Sequence, residues 1–102
     1  MYTYTTPTLP ITIEDIDFST VDFFRIALKT KSTQKIFVVP ASDSSVDPQT
    51  NTIYLELTQE QTAELEEGMA KVQARFKLNN GKVGATSKAT VSIEDVYDKV
   101  II

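Results

Sequence analysis

From Thr52 to Thr58 polar and apolar residues alternate without a break, with Ile53, Leu55 and Leu57 on one side and Thr52, Tyr54 and Glu56 on the other. A period of two is the signature of a half-buried strand, one face on a core and the other in water. Directly after it, Thr58-Gln59-Glu60-Gln61 has the form of a capping box. The Thr58 hydroxyl can accept from an amide of the first turn while Gln61 reaches back to the cap amide. The strand therefore stops where a short helical turn begins, expected over about 59–67, and Gly68 is placed to take the left-handed conformation that closes it.

The same period recurs along the chain. Leu9, Ile11 and Ile13 alternate with Thr8, Pro10 and Thr12, and the donor-less Pro7 and Pro10 suit an edge strand. Glu14 to Ser19 interrupts the pattern as a connection. Between Val21 and Lys29, Phe24, Ile26 and Leu28 share one face and Phe23, Arg25 and Ala27 the other. A polar turn over Lys29 to Thr33 leads into Lys35-Ile36-Phe37-Val38-Val39, a run too short and too β-branched for a helix, so the two strands form a hairpin. Pro40 to Thr50 reads as a loop with one isolated apolar residue, Val46.

Val72, Ala74, Phe76 and Leu78 then face a core, with Lys71, Gln73, Arg75 and Lys77 outside in water, and Asn79-Asn80-Gly81 supplies a tight hairpin turn. In the returning strand Gly84 reads as a bulge, followed by Ala85, Ser87, Ala89, Val91 and Ile93 facing inward. The fold class that follows is all-β: an antiparallel immunoglobulin-like sandwich of about six or seven strands with one short helical turn. Residues 1–7 read as an N-terminal arm and 8–102 as a single domain.

Function classes are narrowed by what such a chain lacks. It has 102 residues with no Cys and no His, which excludes disulfides and leaves only oxygen ligands for a metal. The charge is −4 and no basic cluster occurs along the sequence, so nucleic acid is not an expected partner. No apolar run approaches the roughly 18 residues of a membrane span, and the first residues lack the charged and apolar regions of a leader, so no membrane partner is expected and the product reads as cytoplasmic when synthesised.

Without His, a nucleophile would need a Lys or carboxylate base in a shielded site, and nothing marks one. The acidic groups Glu14/Asp15/Asp17, Glu66/Glu67 and Glu94/Asp95 fall in connections, where solvated charge explains them. The loop Asp43-Ser44-Ser45-Val46-Asp47 offers oxygens but lacks the ligand density and Gly of a calcium loop. Gly68, Gly81 and Gly84 are spaced for turns, not for a phosphate cradle. No catalytic, cofactor-binding or metal residue is assigned, and no cofactor is expected.

Interaction surfaces remain. Phe23, Phe37 and Tyr54 are read on the strand sides away from the core, as a candidate contact patch. The apolar ending Val100-Ile101-Ile102 either docks on its own domain or adds a strand to a neighbour's sheet edge.

The chain also combines a Thr-Thr-Pro-Thr start at Thr5 to Thr8 with Asn-Thr-Ile-x-Leu-x-Leu-Thr-Gln-Glu-Gln-Thr at Asn51 to Thr62. A Val72-Gln73-Ala74-Arg75-Phe76 strand follows, then Thr90-Val91-Ser92-Ile93 closing on Asp95-Val96-Tyr97-Asp98. In these pieces, over nearly its whole length, it resembles small structural proteins encoded in prophages of Firmicutes. Its strand, Leu-Thr-x-Glu-x-Thr turn and return strand are similar to the N-terminal β-sandwich of phage baseplate upper proteins. It departs from the prophage pattern in the acidic insertion at Glu14 to Asp17 and the extended loop at Asp43 to Gln49. The resemblance implies a non-enzymatic, virion-associated structural protein that assembles with other virion proteins or with itself, as a homo-oligomer. The contrasting expectation is an immunoglobulin-like binding module that recognises a carbohydrate or peptide through loops such as Pro40 to Thr50.

Overall fold

The structure is a computed structural model that describes all residues from Met1 to Ile102. Eight strands form two antiparallel sheets. The smaller has the order β1 (Thr8–Thr12), β5 (Thr52–Glu56), β4 (Val46–Asp47). The larger runs β3 (Gln34–Pro40), β2 (Val21–Lys29), β6 (Gly68–Leu78), and the far side of β6 is shared by β7 (Val83–Ala85) and β8 (Ala89–Ile93). The order matches sheets B-E-D and C′-C-F-G of an immunoglobulin-like sandwich, with no strand paired to the outer edge of β1.

One cluster of sixteen buried apolar residues fills the space between the sheets. Its centre is the pairing of β2 with β6, where Phe24 lies opposite Phe76, Ile26 opposite Ala74 and Leu28 opposite Val72. Ile53 and Leu55 of the other sheet belong to the same buried cluster, and the small Ala74 opposite Ile26 leaves room at the middle of the ladder. A 3₁₀ turn at Phe18–Thr20 opens β2, with Asp17 accepting from the Ser19 amide and Phe18 buried against Phe24 at a centroid distance of 5.0 Å.

The capping box forms as the sequence requires: the Gln61 amide donates to Thr58 Oγ1 at 3.2 Å and the Thr58 amide to Gln61 Oε1 at 2.9 Å. The helix α1 is shorter than expected, Gln59–Ala63, because Leu65 turns into the core two residues later. Gly68, at φ +129°, closes no helix; it starts β6 opposite Ile93. The loop Pro40 to Thr50 contains β4, whose Val46 is a core residue opposite Ile53.

The returning strand is bulged two residues later than expected. β7 pairs in the register Phe76 to Gly84, whereas β8 pairs in the register Ala70 to Val91, so one extra residue enters between them. Thr86 bridges the break: its amide donates to the Ala74 carbonyl at 2.8 Å and its hydroxyl accepts from the Ala74 amide at 3.1 Å. Ala85 therefore shares the outer face with Arg75, and only Val91 and Ile93 of the small-residue series are withdrawn from solvent. Gly84 serves packing, since a Cβ there would overlap the Phe76 ring.

The first seven residues, expected as an arm, are tied into the domain. Met1 to Thr3 runs parallel to the end of β8, with Thr3 N donating to the Glu94 carbonyl and Glu94 N to the Met1 carbonyl. Tyr4 then turns the chain with φ +57° toward β1. Thr62, fully buried on α1, accepts from the Thr5 amide at 3.1 Å and donates to the Thr5 carbonyl at 2.8 Å.

Replacing Thr62 by Val keeps the shape and strands both Thr5 backbone groups. We expect a loss of about 1–3 kcal/mol in urea unfolding, with Thr62→Ser retaining most of it.

Candidate functional site

The register that buries Phe24, Ile26 and Leu28 has a counterpart on the other side of the same strands. Side chains alternate, so Arg25 and Lys29 of β2 and Lys71, Arg75 and Lys77 of β6 all emerge on the outer face of the larger sheet. Arg25 lies directly opposite Arg75, and Lys29 directly opposite Lys71. Lys88, in the bulge between β7 and β8, joins Lys29, Lys31 and Lys71 around a shallow depression of about 560 Å³. The two ion pairs of the structure, Lys35 with Glu64 and Lys99 with Asp95, leave this face untouched.

Like charges facing each other across strands are destabilising, by about 0.2–1 kcal/mol per pair. Two such pairs flank the Ala27/Gln73 pair at exposed positions where Thr or Gln would fit the sheet. The flanks of the face are apolar: Ile36 and Val38 protrude from β3 and Val83 from β7, the latter two more than half exposed. A basic strip bordered by exposed aliphatic side chains has the composition of a contact surface for an acidic partner.

The expected aromatic patch does not exist. Phe23 is half-buried on this basic face beside Lys77, whereas Tyr54 is on the outer face of the smaller sheet, opposite Pro10. Phe37 faces the core, in register with Ile26, and it is Ile36 and Val38 that face outward. An uninterrupted apolar run carries no alternation of its own, so only the pairing with β2 sets its phase. The reading that no basic cluster occurs holds along the chain and fails on the sheet, where residues some fifty positions apart become neighbours.

Four carboxylates are held by hydrogen bonds from nearby hydroxyls and amides. Asp17 is held below the usual aspartate range by the Ser19 hydroxyl and amide, and Asp43 by the Ser45 amide and hydroxyl. Asp47 Oδ1 accepts from the Gln49 amide, so one carboxylate oxygen of each aspartate in the Pro40 to Thr50 loop is engaged within the loop. Glu66 is lowered by the Ser32 hydroxyl and amide and by the Thr30 hydroxyl, which together pin the β2–β3 turn.

The tail extends from β8 without joining a sheet. Val100, Ile101 and Ile102 are 58%, 43% and 92% exposed. Their hold is the Gln59 side-chain amide, which donates to the Ile102 carbonyl and accepts from its N–H at 3.0 Å. No helix is long and apolar enough to cross a membrane. No family model, curated protein or solved structure matches the chain.

Two outcomes follow. Arg75→Thr relieves the cross-strand repulsion and should raise stability in urea by about 0.2–1 kcal/mol, more at low salt than at high. Glu66→Gln should destabilise the protein near neutral pH. A carboxyl whose folded pKa is depressed stabilises above its unfolded pKa, about 4.3 for Glu, and loses that contribution as pH falls through the folded value. The difference between the variant and the parent chain should therefore shrink on acidification.

Proposed function

We propose that this chain is a non-enzymatic structural protein of a phage or prophage virion that works by protein–protein assembly. The observation that carries the assembly role is the outer face of the larger sheet, with its opposed Arg25/Arg75 and Lys29/Lys71 pairs and its aliphatic borders. A face that weakens its own sheet by charge repulsion gains from an acidic partner what it loses alone. The virion assignment rests on the resemblance to prophage proteins read from the sequence, chiefly at Asn51 to Thr62.

The chain itself is one such partner. Seven of its ten basic residues lie on or border this face, which leaves three for the rest of the molecule, whereas the chain carries fourteen acidic residues. Contact of a basic face with another copy's acidic surface is heterologous and generates rings or filaments according to its rotation.

Light scattering on size-exclusion fractions tests the reading. The parent chain is expected to form oligomers that become smaller as salt rises, and Arg25→Glu with Arg75→Glu is expected to lose that salt-dependent part of the assembly. A parent chain that stays monomeric at high concentration and low salt, and that captures no virion protein, would sink the proposal. Gene order supplies the second test: a reading frame among capsid, connector or tail genes supports the virion role, and one among polysaccharide genes defeats it.

A further inference from the structure

An immunoglobulin sandwich is closed along one side by strand A, which pairs with strand B and covers the core between B and G. Here that side is open. A groove of about 830 Å³ runs between β1 on one wall and β6, β7 and β8 on the other. Its lining is drawn from the core: Leu9, Ile11, Ile16, Phe76, Leu78 and Val91 pack on the buried cluster and stay partly solvated.

The walls are strand edges. Leu57 N donates to the Pro7 carbonyl and Ile13 N to the Asn51 carbonyl, so the odd residues of β1 bond to β5 and the even ones turn outward. The amides of Thr8 and Thr12 and the carbonyls of Thr8, Pro10 and Thr12 therefore face the open side. On the opposite wall Met1 to Thr3 already pairs with the end of β8, as the first rungs of a ladder that continues into the groove without a strand to fill it.

The same chain carries a strand-length segment with no sheet of its own. Eight residues, Asp95 to Ile102, follow the last ladder residue, and fully extended they reach about 26 Å. Val100 and Ile102 lie on one side of such a strand and Ile101 on the other, all exposed. The chain's own tail is kept out of its own groove, because Met1 to Thr3 fills the near end of the slot beside Ser92 to Glu94.

We propose that the C-terminal segment of a second copy enters this groove as the missing strand, placing Val100 and Ile102 against Leu9, Ile11 and Val91. This rests on the assembly role and supplies an interface separate from the basic face. Strand addition combines ladder hydrogen bonds, which give affinity, with side-chain pockets at alternate positions, which give specificity. Since every copy has one groove and one tail, the exchange is head-to-tail and propagates unless a ring closes it.

The absence of native cysteine makes the test direct. A chain with Ala89→Cys, in the groove, is mixed with one carrying Val100→Cys, on the side of the inserted strand that faces the groove, and oxidised mildly. The expected product is the 89-to-100 cross-linked pair, identified by peptide mass, and a chain ending at Lys99 should lose the corresponding increment of mass in light scattering. A chain carrying both cysteines that closes on itself as a monomer overturns the proposal, as does an oligomer unchanged by the truncation. Cross-linking that survives Arg25→Glu with Arg75→Glu upholds the groove even where the basic face fails. Loss of assembly in that charge variant, with no 89-to-100 product from the parent charges, overturns the groove alone.

Discussion

The register of β2 on β6 decides both sides of the larger sheet at once. Sliding either strand by one residue would move Phe24, Ile26 and Leu28 into water, at about 1.5–3 kcal/mol for each large side chain. Two exposed like-charge pairs cost far less, so the core dictates the register and the cations accept it. The basic face is thus a by-product of burial in its geometry, but not in its composition. Nothing about the core asks for Arg at 25 and 75 or Lys at 29 and 71, and neutral residues at those positions would leave the inner face as it is.

The same separation of causes applies to the open side of the sandwich. Pro10 sits where its missing amide points away from β5, so it interrupts no bond of the β1–β5 ladder and removes one donor from the free edge. Such an edge is guarded against indiscriminate pairing while its carbonyls and the apolar floor behind it remain accessible. Chemistry at the two exposed surfaces is accordingly different: charge on the sheet face, backbone and aliphatic contact in the groove.

Elements whose alternation is pure were readable from residues alone. β5, its capping box and the inner faces of β1, β2 and β6 lie where Leu55, Thr58, Ile11, Ile26 and Ala74 indicated. What escaped the reading depended on partners distant in sequence. Phe37 takes its phase from Ile26, the bulge sits where the Thr86 hydroxyl can stand in for a backbone acceptor, and Val46 becomes core through Ile53. The basic face was invisible for the same reason, because Arg25 and Arg75 are ordinary surface residues until a ladder joins them. The N-terminal residues were misjudged because Thr3 and Thr5 carry no apolar signal; they are held by hydrogen bonds to Glu94 and Thr62.

The parallel contact of Met1 to Thr3 with the end of β8 also bears on how the molecule is made. β1 waits for β5, β2 for β6, and the first three residues for the ninety-fourth. Synthesis proceeds at about 5–20 residues per second, so the first residues spend several seconds or more without the strand that receives them. Closure of the sandwich therefore waits for residue 94 to emerge, and through that interval β1 is exposed on both edges, apolar on one face and dependent on two prolines to remain unpaired.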